Sequence, residues 1–411
     1  MKILAVSTKL PYPLIDGQRI CFYQAVRGLA SRGHEVHIVA IVEEADDIGP
    51  LEDFCRVHVL RHRPLPTAAG ALATLLIRRP YTQWKKDLPQ VYRYLDRLQS
   101  REGFDAVYAD QAHTACYGSY MKKRYGLPYL LRLHNMEHEI HRRYADHAGN
   151  PLMRLYLRLQ CKRWERYEFA QIRAADACAA ITHRDSVVAE GAAPGIPVGL
   201  IPAAVDPNIF PFVSTNLRKP RSLVAVGNMD WAPNRDAINW FVNSILPLVV
   251  AEEPGVVCHI VGAGSHLEGF RNSKNLRLVG KIDSIHDLYE QSAVGVIPLR
   301  VGSGMRFKML EMMSCGLPVV STAIGAEGNA AVAGVHYLCA DYPVAFAAAI
   351  TSLLRNPAEQ ERLSLAARAF VVEHYNARDV GKKCEDMLIR AIAAQPYARR
   401  NDVHAMPRGA H

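Results

Sequence analysis

Apolar and polar positions follow each other along the chain in a pattern that predicts β-strands separated by amphipathic helices. Residues 2–7 form a continuous apolar run, as expected for a strand buried on both faces. Residues 19–32 then carry apolar side chains at helical spacing, and Gly33 ends the predicted helix. A second apolar strand is predicted at 34–41. Strand, helix and strand in this order form a βαβ unit, in which the two strands are parallel.

The same alternation continues to about residue 201, stops, and restarts at residue 222. Strands are predicted at 57–60, 106–109, 129–133, 177–181 and 198–201, and then at 222–226, 256–261, 276–279 and 294–299, with a helix at 237–250. Residues 202–219 are rich in Pro and Asn and lack periodicity, as a hinge between domains does. We therefore expect an α/β fold with two Rossmann-like domains that face a cleft.

The 411 residues suit two domains of about 200 residues each. We expect an N-terminal domain at 1–205 and a C-terminal domain at 206–378. A last helix at 379–394 is expected to pack back on the N-terminal domain. Residues 395–411 are polar, with Pro, Arg, Asn and Gly, and are predicted to be a disordered tail.

The segment 301–321 carries the clearest chemistry. A glycine-rich turn (Gly302, Ser303 and Gly304) follows a predicted strand and leads into an amphipathic helix. Such a turn presents free backbone amides and the positive end of a helix. Arg306 and Lys308 add two cations, and Glu311 lies one helical turn after Lys308. Cations and amides suit a diphosphate, and a carboxylate suits the hydroxyls of a sugar or ribose. The segment predicts a nucleotide-sugar site; the alternative is an ordinary helix with surface cations.

The net charge of +9 is concentrated in the first half, where residues 1–205 hold 28 Lys and Arg against 21 Asp and Glu. Residues 142–173 interleave Arg and Lys with Leu, Met, Tyr and Trp. This pattern is typical of a basic amphipathic helix that contacts an anionic membrane surface. A solvated helix face with ordinary core contacts explains it equally well. Nucleic acid is not an expected partner, because no stacking platform or binding motif accompanies the charge.

No apolar run approaches the roughly 18–20 residues of a membrane span, and the short apolar N-terminus is a strand and not a signal peptide. The nine cysteines lack metal-ligand or disulfide spacing. A cytoplasmic protein is expected, peripheral on the inner face of the membrane.

Several short motifs together resemble a known family. They are Leu-Ala-Ser-Arg-Gly-His-Glu-Val at 29–36, His-Asn-Met-Glu at 134–137, Ala-Val-Gly-Asn-Met at 225–229, Ile-Val-Gly-Ala-Gly at 260–264, Ile-Gly-Ala-Glu-Gly at 324–328 and the segment 301–321. Over about 390 residues the chain resembles the retaining GT-B glycosyltransferases of family 4 (group 1). More narrowly, it is similar to sugar transferases of bacterial exopolysaccharide clusters. The resemblance implies transfer of a hexosyl group from a nucleotide-diphosphate sugar to a glycan or lipid-linked glycan.

The resemblance also implies roles for individual residues. Arg306 and Lys308 would neutralise the donor diphosphate, and Glu311 would accept hydrogen bonds from the ribose. His134 would lie against the transferred sugar. Gly302, Ser303 and Gly304 would bring backbone amides close to the donor sugar and phosphate. Gly17, in the first loop, would let the opposing domain approach the phosphate or the acceptor. Gly325 and Ala326 follow the next strand, so their amides are further candidates for the donor site.

The chain departs from the usual family pattern in two places, and it lacks one known metal-binding motif. Ser303 stands where the family usually has a second glutamate, and residues 228–234 lack the Arg and Lys that the family often has there. No Asp-x-Asp motif occurs in the chain, so we expect no metal and no cofactor besides the donor. Two other functions stay open, a UDP-sugar epimerase and a catalytically silent assembly subunit. A dehydrogenase is disfavoured, because no Gly-x-Gly-x-x-Gly follows the first strand.

Overall fold

The computed structural model describes residues 1–14, 16–43, 47–63, 79–264, 270–282, 284–301 and 304–395. The chain divides into two units. The first contains Met1–Ala203 together with the chain from Arg378 onward, and the second is Ala204–Ala377.

The first unit is built on one parallel sheet. Among the described residues it has seven strands in the order β3-β2-β1-β4-β5-β6-β7. Their bounds are β1 Lys2–Ser7, β2 Glu35–Val42, β3 Arg56–Arg61, β4 Ala106–Asp110, β5 Tyr129–Leu133, β6 Ala177–Ala180 and β7 Val198–Leu200. The order reverses between β1 and β4, where Ile3 pairs with Ala106. Ligands of such sheets bind beyond the carboxyl ends of the strands at this reversal.

Helices flank this parallel sheet, and most residues of its central strands are apolar and buried. They are α1 Gly17–Ala30, α2 Tyr81–Trp84, α3 Pro89–Glu102, α4 Ala115–Tyr125, α5 Glu137–His147, α6 Pro151–Ala174 and α7 His183–Ala192. Helix ends follow local chemistry: Asn150 caps α6 by accepting from the amide of Leu152, and Gly103 and Gly126 end α3 and α4 with positive φ.

The second unit has its own parallel sheet. In the described part of the chain its strand order is β10-β9-β8-β11-β12-β13, the order of a Rossmann fold. The strands are β8 Ser222–Val226, β9 Val257–Val261, β10 Leu276–Gly280, β11 Val294–Ile297, β12 Val319–Ser321 and β13 Leu338–Cys339. The prediction of two Rossmann-like sheets in an α/β fold is confirmed.

The helices of the second unit differ in one place from the prediction. They are α8 Ala232–Trp240, α9 Leu246–Glu252, α10 His286–Gln291, α11 Phe307–Ser314, α12 Pro343–Arg355 and α13 Pro357–His374. The single helix predicted at 237–250 starts earlier, at Ala232, since Pro233 fits a first helical turn. It is also interrupted by a π-helical turn at Phe241–Ile245. Pro247 explains the interruption, because it has no amide proton to continue the α-helical bonds.

The structure also gives the state of the cysteines and the length and polarity of the helices. All nine cysteines lie in described residues and are free, and Cys339 is exposed. None of the described helices is both long enough and apolar enough to cross a membrane. The expected tail at 395–411 lies outside the described residues except for its first position.

The last helix, α14 (Ala377–Ala393), packs against elements of the first unit, although the second unit precedes it in the chain. Gly381 meets Gly28 of α1 so closely that a Cβ at Gly381 would lie 2.5 Å from the backbone of Gly28. A Cβ at Gly199 would meet Sδ of Met387 at 2.5 Å. Glu385 accepts hydrogen bonds from Arg32 at 2.6 Å and from His34 at 2.9 Å. Close backbone packing thus joins α14 to the first unit.

We expect Gly381→Ala to destabilise the protein by about 1–3 kcal/mol, because the new methyl group overlaps backbone that cannot move aside. The measurement is the midpoint of urea unfolding. Gly191→Ala is the matched control, since Gly191 is also helical but has nothing within 4 Å of the new Cβ. The control should gain up to about 1 kcal/mol from helix propensity. Equal midpoints for the two variants would contradict the packing argument.

Candidate functional site

The candidate site of the second unit lies at the point where its strand order reverses. β8 and β11 are neighbours there, and their carboxyl ends are Val226 and Ile297. A small recess opens at these ends, lined by Ala225, Val226, Gly227, Asn234, Ala237, Ile238, Val296, Ile297, Pro298, Leu299 and Lys308. Such a crevice is the expected ligand position in an open parallel sheet.

Lys308 reaches into this recess from the first turn of α11. Its ammonium group donates a hydrogen bond to the backbone oxygen of Val226 and lies 3.5 Å from Oδ1 of Asn234. Burial, and then the neighbouring charge of Arg306, lowers the pKa of Lys308 to about 8. A cation that is poorly solvated in the free protein is one that an anionic ligand can stabilise.

Arg306 is the residue before α11 and does not lie within its first turn. Its side chain is buried, and its guanidinium carbon lies 5.9 Å from the ring centre of Trp231. This is a cation–π contact, which limits the positions available to the guanidinium group. The 228–234 loop lacks cations, as the sequence shows, but it supplies an aromatic surface for the cation of another loop. Nothing in the sequence indicated this contact.

Glu311 faces the same side of α11 as Lys308, one turn later. The hydroxyl of Tyr289 donates to Oε2 of Glu311 at 3.1 Å. Burial raises the pKa of Glu311 to about 7, against the opposing effects of Tyr289 and Lys308. Tyr289 lies in α10, and the sequence offered no sign that it orients the site carboxylate.

The glycines around α11 have packing roles. Gly304 and Gly328 both have positive φ, at 78° and 91°. A Cβ at Gly328 would lie 2.8 Å from Cα of Met305, so the two glycine motifs of the sequence pack on each other. Gly302 and Ser303 lie outside the described residues.

Gly325 and Ala326 need a revised role. The amide of Gly325 donates to Oγ1 of Thr322 at 2.9 Å, and the amide of Ala326 donates to the backbone oxygen of Thr322 at 3.1 Å. Both amides already have partners within the turn. A Cβ at Gly325 would also lie 2.6 Å from the backbone oxygen of Ile297. We therefore assign these residues to support of the sheet edge and not to the donor.

His134 and Gly17 lie in the first unit, at the carboxyl edge of its sheet. His134 follows β5, and Gly17 is the first residue of α1, which follows β1. Gly17 is exposed, and the preceding Asp16 caps α1 by accepting from the amide of Arg19 at 3.0 Å. Nε2 of His134 donates to Oδ1 of Asp110, the last residue of β4, at 3.0 Å.

A buried carboxylate supports the helix that follows His134. Glu168 of α6 accepts from the amides of Glu137 at 2.7 Å and of His138 at 3.0 Å, at the start of α5. Burial, and then the charge of Glu168, raises the pKa of Glu137 to about 7. Glu168 thus stabilises the N-terminus of α5 and the loop that carries His134.

Comparisons with known proteins agree with this architecture. Residues 16–192 match the family described as "Glycosyl transferase 4-like domain", and residues 220–356 match "Glycosyl transferases group 1". An uncharacterized 44.6 kDa protein in the cps region of Klebsiella pneumoniae is 24% identical over 92% of this chain and 97% of its own.

Solved structures share the fold at low sequence identity. Sucrose-phosphate synthase from Thermosynechococcus elongatus has a TM-score of 0.72 at 17% identity, covering 96% of this chain and all of that one. Alr3699/HepE from Anabaena, solved in complex with UDP, has a TM-score of 0.68 at 14% identity, covering 95% of this chain and all of that one. The same Anabaena protein was also solved with UDP-glucose.

The fold and the two family matches define the class: this chain is a glycosyltransferase with the GT-B fold. It carries the 4-like domain in its first half and the group 1 domain in its second half.

We expect Glu311→Gln to stabilise the free protein increasingly as pH rises. The unfolded chain ionises this carboxyl near its ordinary value of 4.5 and the folded protein near 7, so wild-type stability falls between these values. Above pH 7 the penalty reaches up to about 3 kcal/mol. The glutamine keeps an acceptor for Tyr289 but has no charge. Unfolding midpoints measured at pH 5 and pH 8 should therefore differ between variant and wild type mainly at pH 8.

Glu361→Gln is the matched control, because Glu361 is exposed on α13. Its effect on stability should be small at both pH values. An effect of Glu311→Gln that is the same at pH 5 and pH 8 would show that the carboxyl is not destabilised by burial.

Proposed function

We propose that this glycosyltransferase moves a hexosyl group from a UDP-sugar to a lipid-linked glycan, with retention of configuration and without a metal ion. Its place is exopolysaccharide or cell-surface polysaccharide synthesis. The observation that carries the proposal is the grouping of Arg306, Lys308 and Glu311 at the strand reversal of the second sheet. Two cations and a carboxylate on one short segment match the diphosphate and ribose of a nucleotide sugar.

The comparisons support a UDP-sugar as the donor and a role in polysaccharide synthesis. UDP and UDP-glucose are bound by the Anabaena protein of the same fold. The relative from Klebsiella pneumoniae is encoded in a cps region. A UDP-sugar and a polysaccharide product are therefore the simplest expectations for this chain.

The leaving diphosphate is the main chemical demand of the reaction. Its charge grows as the bond to the sugar breaks, and groups already aimed at that charge lower the barrier. Lys308 and Arg306 supply two such groups, and their partial burial strengthens each interaction. By analogy with a single oxyanion-hole donor, each is worth roughly 3–4 kcal/mol. The chain has no Asp-x-Asp motif to hold a metal for the same task.

In the proposed reaction, His134 contacts the transferred sugar. It orients the transferred sugar as a hydrogen-bond partner and need not act as a base. Retention follows if the acceptor attacks from the face that the diphosphate leaves, since no carboxylate is assigned as a covalent nucleophile.

Arg306→Ala and Lys308→Ala should each lower kcat by about 10²- to 10³-fold, because each removes one charge that stabilises the leaving diphosphate. Release of UDP from a UDP-sugar, with membrane extract as acceptor, measures the rate. Arg362→Ala is the control, since Arg362 forms a surface ion pair with Glu359. EDTA should leave the wild-type rate unchanged. Near wild-type turnover by either site variant would place the diphosphate elsewhere.

The donor base is tested separately by thermal shift with UDP-, GDP- and dTDP-sugars in the presence of EDTA, because a bound donor stabilises the fold. Conversion of the donor without an added acceptor would instead indicate the epimerase. Donor binding without any turnover would indicate the silent subunit.

The proposed lipid-linked acceptor requires contact with a membrane, and one exposed helical surface of the first unit supports this part of the proposal. α5 and α6 pack as a helical hairpin. The second half of α6 is anchored, since Arg163, Trp164 and Ile172 are buried. Its first two turns have no buried residue before Gln160. We name residues 142–159 the hairpin tip.

The hairpin tip combines exposed apolar side chains with positive charge. The exposed large apolar residues are Tyr144, Leu152, Met153, Leu155 and Leu159, with Leu152 77% and Leu155 67% exposed. Arg142, Arg154 and Arg158 are exposed around them, and Asp146 is the single acidic residue of the segment. Apolar side chains that enter the lipid boundary beside cations match an anionic leaflet. We propose this tip as the membrane contact at the inner face.

The double variant Leu152→Ser/Leu155→Ser should bind vesicles of phosphatidylglycerol and phosphatidylcholine at least about tenfold more weakly, because two buried leucines are lost from the lipid boundary. Co-sedimentation measures binding. Leu217→Ser is the matched control, as Leu217 is 75% exposed in the second unit. Wild-type binding should fall with added salt and on pure phosphatidylcholine. Equal binding of both variants would exclude the hairpin tip.

A further inference from the structure

Behind His134 lies a chain of buried hydrogen bonds that the proposed reaction has not used. Oδ1 of Asp110 accepts from Nε2 of His134 at 3.0 Å and from the hydroxyl of Tyr108 at 2.8 Å. Nη1 of Arg132 in turn lies 3.3 Å from the hydroxyl of Tyr108 and donates to it. Asp110, Tyr108 and Arg132 are all fully buried.

The donor and the acceptor of each hydrogen bond in this network follow from the chemistry of the groups. A guanidinium group can only donate, so the hydroxyl of Tyr108 accepts from Arg132. Burial raises the pKa of Tyr108 well above its ordinary value, so its own proton stays available to Asp110. Asp110 therefore accepts twice through Oδ1, and Nε2 of His134 must carry a proton. Nδ1, the other ring nitrogen, has no hydrogen-bond partner among the described residues.

Contacts of Arg132 with the backbone also hold this hydrogen-bond network rigidly. Arg132 donates to the backbone oxygens of Cys21 in α1, at 3.0 Å, and of Ile201 and Pro202 after β7, at 3.0 and 3.2 Å. These bonds join three segments of the first unit around one side chain. A buried network with determined donors orients its members more strictly than a single bond does.

The backbone beside Asp110 is strained. Gln111 has φ of 82° and ψ of 156°, a region that non-glycine residues rarely occupy. Its amide donates to the backbone oxygen of Arg132 at 2.7 Å, and its Oε1 accepts from Oγ1 of Thr8 at 3.4 Å. Strain of this kind persists where surrounding contacts enforce it, and it concentrates at functional sites.

We propose that Asp110 is a positioning residue, which holds His134 as the Nε2–H tautomer so that Nδ1 accepts a hydrogen bond from a hydroxyl of the transferred sugar. Tyr108 and Arg132 hold Asp110 in turn. The assignment of a sugar to His134 rests on the proposed function; the tautomer itself rests only on the geometry of the first unit. Asp110 need not touch the substrate.

The tautomer is measured first, in the unmodified protein. Histidine labelled with ¹⁵N in the imidazole ring gives separate signals for protonated and unprotonated ring nitrogens, and a His134→Asn sample identifies the signals of His134. We expect a proton on Nε2 and none on Nδ1 at pH 8. A proton on Nδ1 would overturn the proposal, and this result does not depend on any enzymatic activity.

The consequence for turnover is measured with Asp110→Asn. The introduced amide either turns its NH₂ group toward Nε2 or buries that group at the position of Oδ2, which has no partner among the described residues. Loss of the carboxylate partner of a metal-bound histidine lowers activity by about 10- to 100-fold, and we use this range by analogy. We expect kcat to fall in this range with little change in KM for the donor. Tyr108→Phe should have a smaller effect in the same direction.

Asp176→Asn is the matched control. Asp176 is likewise buried in the first unit, where it accepts from the amide of Tyr129 at 3.0 Å and pairs with Lys122 at 2.9 Å. It precedes β6, at the opposite end of the sheet from His134. Asp110→Asn with kinetics like those of Asp176→Asn would overturn the positioning role. Absence of turnover in the wild type would instead refute the proposed function, while the ¹⁵N measurement still decides the tautomer.

Two substitutions of His134 test which ring nitrogen forms the hydrogen bond with the sugar. The amide of asparagine reaches the position of Nδ1, and the longer amide of glutamine reaches the position of Nε2. His134→Asn should therefore retain more activity than His134→Gln. The opposite order would show that Nε2 contacts the sugar and would contradict the proposal.

Discussion

The removal of Lys308 and Glu311 from water is the constraint on which the site depends. Burial disfavours the charged form of each in the free protein, and Lys308 also lines the recess at the end of β8. The backbone oxygen of Val226 and the hydroxyl of Tyr289 compensate only partly. A diphosphate and a ribose would supply what these groups lack. The fold thus carries an electrostatic cost that a bound donor would offset.

The sheets and the main site cations could be predicted from the sequence, since both depend on local patterns. Buried strands are mainly apolar, and the glycine turn followed by Arg306, Lys308 and Glu311 is one contiguous segment. The contacts that orient these residues could not be predicted. Trp231 lies under Arg306 and Tyr289 binds Glu311 although they are far apart in the chain, and Asp110 meets His134 across neighbouring strands. Only the packing of the sheet brings such partners together.

The roles of the glycines likewise could be predicted only in part from the sequence. Their motifs suggested backbone that approaches a ligand, and the described part of the chain gives them mainly the task of packing on each other. Gly328 receives the backbone of Met305, and Gly325 receives that of Ile297. A glycine motif therefore identifies where two segments come close without telling whether the second segment is a ligand or the protein itself.

The close contact between Gly28 and Gly381 has a consequence for synthesis in the cell. The first unit lacks its last helix until residues after 378 have left the ribosome, by which time the second unit is complete. The face of α1 that receives α14 remains uncovered throughout translation of the intervening residues. Synthesis of the first unit is thus completed only after the whole second unit has been made.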